Sequence, residues 1–140
     1  METIEGMYEA FREAKQVFLT TISKEGVSKT RAMTNYNDSP YESMWYPSFK
    51  DTQKIRDIAD NPEVVISFPG NERNKWYRVK GTARLAPWEE VQESWKWWYL
   101  EWVPEEDRGK YELKYDGSFT DRTIIWIDPL EVEIGDTHTH

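Results

Sequence analysis

Residues 17–36 read VFLTTISKEGVSKTRAMTNY and contain two strand-like runs separated by a turn. Residues 17–22 are rich in β-branched side chains, which favour extended backbone. Residues 24–26, Lys-Glu-Gly, are typical of a tight turn, and residues 27–36 then read as the returning strand. The stretch therefore predicts an antiparallel β-hairpin.

Sequence on either side of the hairpin adds a helix and a third strand. Ile4, Met7, Tyr8 and Phe11 recur at the spacing of one helical face and predict a helix over residues 4–15. The cluster Asn-Asp-Ser-Pro at residues 37–40 predicts a turn. Residues 41–46, which include several aromatic side chains, are predicted to form the third strand.

A second helix is predicted over Gln53–Asp60, with Thr52 as its N-cap. The Thr52 side chain can accept amide hydrogens of the first turn. The helix is expected to stop at residues 61–62, Asn-Pro, because the residue before proline avoids helical geometry. The apolar side chains expected to face the core are Ile55, Ile58 and Ala59.

Further strands are predicted over residues 64–68, 76–85, 123–127 and 131–134. Gly81 inside the second of these predicts a bulge or a close backbone approach. Asp128 and Pro129 are predicted to form a turn. Consecutive strands without βαβ alternation indicate a mainly β fold with peripheral helices, an antiparallel barrel or sandwich. The length of 140 residues fits one domain, residues 1–140.

Composition excludes several classes of function. The formal net charge of −8 argues against nucleic-acid or anionic-membrane binding, because such proteins need a basic surface. No apolar run is long enough to span a membrane, and residues 1–10 lack the apolar core of a signal peptide, so a cytoplasmic protein is expected. Aromatic residues make up 15% of the chain, which predicts that some rings face a partner chain or a flat ligand.

Cysteine is absent, and the two histidines, His138 and His140, lie in the tail. A tail is usually mobile, so these histidines predict neither a catalytic base nor a metal site. No catalytic residue is assigned from the sequence.

A Trp-rich segment at residues 88–102 predicts another helix. Its apolar stripe contains Val91, Trp95, Trp98 and Trp102, which favours core or dimer packing over cofactor binding. Its acidic residues are expected to form a solvated face.

Basic and hydroxyl side chains predict a site for a phosphomonoester. Arg31 is suited to bidentate phosphate contact, and Lys54 lies in the first turn of the second helix. Ser48 and Thr52 add hydroxyls, and the first amides of a helix bind anions readily. This site requires the strand that carries Arg31 to lie beside the strand that ends at Ser48. The alternative is that these basic residues only form surface ion pairs.

The sequence from residue 17 to residue 134 resembles the pyridoxamine 5′-phosphate oxidase-like family of FMN-binding split barrels, in its general-stress-protein branch. The order and spacing of several short elements carry the resemblance. These are Thr20-Thr21, Gly26, Arg31-Ala32-Met33, Trp45-Tyr46-Pro47-Ser48, Thr52-Gln53-Lys54-Ile55, Asn61-Pro62, the strand with Gly81, and Ile125-Trp126-Ile127-Asp128-Pro129.

The resemblance implies a Greek-key antiparallel split barrel that forms a homodimer, with FMN at the subunit interface. Arg31 and Lys54 would hold the phosphate, helped by Ser48 and Thr52, and residues 31–33 would lie along the isoalloxazine through backbone groups. The full set of implied cofactor-binding residues is Arg31, Ala32, Met33, Thr34, Tyr46, Pro47, Ser48, Thr52, Gln53, Lys54 and Trp76. The implied function is an oxidoreductase acting on a small substrate.

Two positions depart from the family pattern. Gln53 stands where the family often has Arg, and Trp76 stands where the vitamin-processing oxidases have a flavin-contacting Gln. The Arg-containing C-terminal ending with which those oxidases bind pyridoxal phosphate is also missing. The alternatives are therefore a protein that binds a flavin, the deazaflavin F420 or haem without turnover, and a cofactor-free dimeric interaction domain.

Overall fold

A computed structural model describes residues 2–72, 75–91, 93 and 122–135. The helices are α1 (Met7–Glu13) and α2 (Gln53–Asp60), and the strands are β1 (Gln16–Ile22), β2 (Ser28–Thr34), β3 (Met44–Phe49), β4 (Glu63–Pro69), β5 (Trp76–Leu85) and β6 (Arg122–Gly135). Residues 88–91 are also helical.

One antiparallel sheet contains these strands in the order β2-β1-β4-β5-β6-β3. The sheet curls around a core of aliphatic and aromatic side chains, with α1 and α2 packed against it, and this is a split barrel as predicted. Fully buried core residues include Phe11, Leu19, Tyr46, Ile66, Phe68 and Ile125. No helix in the described part of the chain is long and apolar enough to cross a membrane.

The predicted hairpin is present as β1 and β2. Val17 pairs with Met33, and Leu19 pairs with Arg31. Gly26 in the connecting turn has a φ of 86°, a left-handed conformation that glycine adopts without steric cost. The hairpin places β2 at one edge of the sheet, with β1 as its only strand neighbour among the described elements.

The first helix is shorter than the spacing predicts. Gly6 precedes it with a φ of 84°, so α1 begins at Met7 rather than at residue 4. Ile4 lies outside the helix and is tied to Tyr41, whose hydroxyl accepts from the Ile4 amide at 2.9 Å. A left-handed residue cannot continue a right-handed helix, which explains the later start.

The third strand, β3, begins and ends later than predicted, because residues 40–42 form a turn and a bend. Part of the edge of β3 is closed by a side chain. Asn37 accepts from the Trp45 amide through Oδ1 and donates to the Trp45 carbonyl through Nδ2, both at 3.0 Å. This side chain supplies hydrogen bonds that a neighbouring strand would otherwise make.

The predicted turn at Asp128 and Pro129 is wrong, since β6 continues through both residues. The register shifts here, with Lys80 opposite Glu131 but Gly81 opposite Pro129. The bulge predicted at Gly81 is therefore present, and the proline lies in it. Proline lacks an amide hydrogen, and a bulge accommodates this without loss of a regular ladder bond.

The Trp-rich segment falls largely outside the described residues, including Trp95, Trp98 and Trp102 of its predicted stripe. Val91 is described and buried. It packs with Ala86 and Ile124 in a second apolar cluster, against which Trp45, Trp88 and Trp126 lie partly buried.

Candidate functional site

Arg31 lies on the core-facing side of β2, although the strand is at the edge of the sheet. Side chains alternate between the faces of a strand, so Arg31 and Met33 share one face while Ala32 and Thr34 are exposed on the other. The Arg31 side chain retains 23% of its accessible surface. It is therefore anchored at the rim of the barrel and still reachable from solvent.

The partner of Arg31 is α2, through the buried carboxylate of Asp57. Arg31 Nη2 lies 3.4 Å from Asp57 Oδ2, and Arg31 Nη1 donates to Thr21 Oγ1 at 2.7 Å. Gln53 Nε2 donates to the other carboxylate oxygen, Asp57 Oδ1, at 2.8 Å. The hydrogen bonds from Gln53, Thr21 and Arg31 lower the pKa of Asp57 despite its burial, so it is an anion at neutral pH.

Lys54 is partly buried at the start of α2. Burial and, after it, the positive charge of Arg31 lower the pKa of Lys54 below its usual value. Lys54 lies three residues before Asp57 on α2, and Asp57 is the helix residue that Arg31 contacts, so both cations lie on the same side of the helix. The structure therefore places both cations on the Asp57 side of α2, and their contact with a phosphate stays a prediction.

Ser48 and Thr52 meet at one carbonyl oxygen. The Ser48 hydroxyl donates to the Phe49 carbonyl at 3.1 Å, and the Thr52 hydroxyl donates to the same carbonyl at 3.2 Å. Thr52 is the N-cap residue by position, but its side chain accepts no amide hydrogen of α2. The predicted side-chain cap is therefore wrong, because the hydroxyl is turned back toward β3.

The route by which the basic residues meet differs from the prediction. Strands β2 and β3 lie at opposite ends of the sheet order and do not pair. Instead, α2 follows β3 along the chain and packs against β1, the neighbour of β2. The helix thus carries Lys54 and Asp57 to the strand that bears Arg31.

The buried face of α2 also differs from the prediction at one position. Ile55 and Ile58 are buried as expected, but Ala59 is exposed and Asp57 is buried in its place. A carboxylate can occupy this position because its hydrogen-bond partners are already present there.

Several other predicted cofactor-binding residues lie away from the Arg31 cluster. The side chains of Met33 and Tyr46 are buried in the core, and burial raises the pKa of Tyr46 well above its usual range. Pro47 is partly buried on β3, opposite Ile124.

The main-chain groups of Met33 and Tyr46 are also engaged in the sheet. Asn35 and Lys15 form a hydrogen-bonded pair, and the alternation of an antiparallel ladder therefore directs the Met33 groups to β1. Trp45 bonds outward to Asn37, so the adjacent Tyr46 groups face β6.

Trp76 lies on the outer face of the sheet. Its ring packs against Phe18 with centroids 5.7 Å apart. Phe18 is in turn opposite Ala32 of β2 in the sheet register. An aromatic surface thus adjoins the exposed side of β2, while the charged cluster lies on the core-facing side.

Sequence reasoning missed two residues of the cluster, Thr21 and Asp57. Gln53 and Asp57 are four residues apart on a helix, which places them on one face. That spacing could have indicated their contact. Thr21 gives no comparable signal, because a threonine in a strand is ordinary.

These features define a split barrel with a cluster of charged and polar side chains at its rim. The family model for proteins described as pyridoxamine 5'-phosphate oxidase like matches residues 2–110, and the chain belongs to this family. No curated protein matches the chain.

Solved structures with the same fold include three informative relatives. An F420 reductase is 21% identical, with a TM-score of 0.67, and the match covers 94% of this chain and 98% of that one. General Stress Protein 26 from Bacillus anthracis is 14% identical, with a TM-score of 0.65 and coverage of 96% and 94%. HupZ from Group A Streptococcus is 17% identical, with a TM-score of 0.66 and coverage of 96% and 95%.

Proposed function

We propose that this protein is an FMN-binding flavoprotein that acts as an oxidoreductase on a small substrate. The observation that carries the proposal is the pair of cations on one side of α2: Arg31, through its contact with Asp57, and Lys54 in the first turn of the helix. Guanidinium and ammonium groups near helix amides suit a phosphate group. The hydroxyls of Ser48 and Thr52 lie at the same helix start.

We infer that the isoalloxazine ring would bind along the free edge of β2, because β2 is an edge strand of the sheet. Backbone groups on the side of β2 away from β1 have no strand partner within the described elements. An edge strand offers donors and acceptors to a flat polar ring. Ala32 and Thr34, whose main-chain groups face away from β1, would then contact the flavin through the backbone, with the Phe18–Trp76 ring pair nearby.

The flavin, when bound, supplies hydride or electron transfer, and the protein binds and orients it. Arg31 and Lys54 would neutralise the phosphate, which anchors one end of the molecule. Because the flavin supplies the redox chemistry, such a site needs neither a cysteine nor a histidine, and this chain has no cysteine and has histidines only at residues 138 and 140.

We also infer a homodimer with the flavin at the subunit interface. Family membership supports this arrangement, and several large apolar side chains are exposed on the single chain. These are Val27, Phe49, Leu130 and Ile134, each at least 46% exposed. Burying such side chains against a second copy is favourable.

F420 is the second candidate cofactor. The likeness to an F420 reductase supports it, and so does Gln53, which replaces a cation that the family resemblance implies for a phosphomonoester. A ligand with a less charged phosphate group would need fewer cations at this site.

Titration of the purified apoprotein with FMN and with F420 tests the proposal. We expect quenched FMN fluorescence and a dissociation constant in the micromolar range or below. Arg31→Ala and Lys54→Ala should each weaken FMN binding at least tenfold. Lys24→Ala, in the exposed hairpin turn, is the matched control and should leave the affinity unchanged.

Three outcomes separate the alternatives. Binding of FMN with turnover of a reduced nicotinamide and an acceptor supports the oxidoreductase. Binding without turnover under any donor favours a flavin carrier. Failure of both FMN and F420 to bind at micromolar concentration overturns the proposal and favours a cofactor-free domain.

A further inference from the structure

Asp57 is a buried carboxylate that the phosphate-site hypothesis does not use. Its side chain retains 2% of its accessible surface. Removing a carboxylate from water is costly unless donors replace the lost hydration. The identity of those donors therefore indicates what the carboxylate does.

Neutral groups make the shorter hydrogen bonds to Asp57. Gln53 Nε2 donates at 2.8 Å and Thr21 Oγ1 at 3.0 Å, whereas Arg31 Nη2 lies at 3.4 Å. The carboxylate is thus fixed by the helix and by β1, and its bond with the guanidinium is the longest of the three.

Arg31 is held from two sides by this arrangement. Its Nη1 donates to Thr21 Oγ1 at 2.7 Å, and the same hydroxyl donates to Asp57. Arg31, Thr21 and Asp57 therefore close a ring of hydrogen bonds. A guanidinium has five N–H donors, and these contacts account for two of them, one on each terminal nitrogen.

We propose that Asp57 is the positioning residue of the phosphate site, orienting Arg31 directly and through Thr21 so that its other donors meet the ligand phosphate. This inference rests on the proposed function. It assigns Asp57 a role in ligand affinity that acts through Arg31, beyond a role in folding. It also accounts for the orientation of Gln53, whose amide is directed to Asp57.

A coupling experiment tests the proposal, with FMN and with riboflavin, which lacks the phosphate. We expect Asp57→Asn to weaken FMN binding about tenfold and to leave riboflavin binding within twofold. In an Arg31→Ala background, the same substitution should change FMN affinity less than twofold. Asp60→Asn, an exposed carboxylate on the same helix, is the matched control.

A purely structural role predicts a different result. Asp57→Asn would then lower thermal stability while the folded protein bound FMN with unchanged affinity, and this outcome overturns the proposal. If Asp57→Asn does not fold, Thr21→Val removes the hydroxyl bridge without a change in charge. It should weaken FMN binding in the presence of Arg31 and not in its absence, and equal effects in both backgrounds overturn the proposal.

Inorganic phosphate serves as a probe independent of the flavin, followed by ³¹P line broadening. If the protein binds phosphate but not FMN, the flavin assignment fails, and Asp57→Asn must still reduce phosphate binding for this proposal to stand. If neither binds, both the proposed function and this inference are overturned.

Discussion

Lys54 places a positive charge near that of Arg31 in a partly buried position at the start of α2. Its pKa is lowered by burial and by the neighbouring guanidinium. An anion bound between the two cations would offset both effects and restore the charged form. The protonation of Lys54 and the binding of phosphate are therefore linked.

This linkage predicts a pH dependence of FMN affinity. The free protein loses the Lys54 proton at a lower pH than an ordinary lysine, whose pKa is about 10.4. Affinity for FMN should therefore fall as the pH rises through the lowered pKa, because binding then requires proton uptake. Fluorescence titrations from about pH 7 up to the ordinary lysine pKa of about 10.4 measure it, above the second phosphate pKa of about 6.

Lys54→Arg and riboflavin are the controls for this pH dependence. Arginine stays charged over the whole range, so FMN affinity of that variant should be flat. Riboflavin lacks the phosphate, so any pH dependence of its binding reports ionisable groups outside the phosphate site. A wild-type affinity for FMN that does not change over this range would contradict the role of Lys54.

Substitution of Gln53 by arginine is expected to raise the affinity for FMN. Its amide donates to Asp57 and its carbonyl oxygen accepts from Arg56 at 3.3 Å, so the side chain lies at the edge of the cluster. Gln53→Arg should tighten FMN binding by about 1 kcal/mol, roughly fivefold, because it adds a cation beside the phosphate. Isothermal titration calorimetry measures the change.

Thr3→Arg adds the same charge at an exposed position that precedes α1 and is the matched control for this substitution. It should leave FMN affinity nearly unchanged, since exposed charges at a distance are screened. Equal gains from both variants would indicate a general charge effect and not a local phosphate contact.

At the scale of elements, the bulge between β5 and β6 depends on Gly81. A Cβ added to Gly81 would lie 2.7 Å from the Asp128 carbonyl oxygen, closer than a methyl group can approach. Gly81→Ala should therefore lower the free energy of unfolding by about 2 kcal/mol, because one strand must shift. Denaturant unfolding measures this difference.

Gly26→Ala is the comparison variant, because it tests the effect of a positive φ without a steric clash. Gly26 has a positive φ, but a Cβ added there would meet no atom within 4 Å beyond its chain neighbours. Only backbone strain of about 1 kcal/mol is therefore expected. A smaller loss for Gly81→Ala than for Gly26→Ala would contradict the close packing of the bulge.

The local sequence predicts well those helices and strands whose limits are set by residues within or next to the element itself. Strand β5 and helix α2 match their predicted limits, because the alternation along β5 and the Asn-Pro stop after α2 act over a few residues. The pair Asp128-Pro129 is typical of a turn, but proline is also found at β-bulges, so the pair alone does not distinguish the two. Only Gly81 on the facing strand distinguishes the two, and that pairing is not local.

At the scale of the whole molecule, the sequence predicts the meeting of Arg31 and Lys54 but not its geometry. Arg31 and the strand of Ser48 occupy opposite edges of the sheet, and α2 bridges them. Strand order follows from long-range packing, which short sequence patterns do not contain. Asp57 was missed in part for the same reason: Gln53 is on its own helix, but its other two donors, Thr21 and Arg31, are brought by other elements.

The proposed dimer makes a prediction that links assembly to ligand binding. If FMN lies at the subunit interface, it binds the dimer better than the monomer, and by reciprocity FMN must tighten the dimer. Sedimentation at micromolar concentration should therefore give twice the mass of one chain. Each bound FMN should lower the dimer dissociation constant by the same factor by which dimerisation raises FMN affinity at one site. A monomer that binds FMN with the full affinity would contradict a shared site.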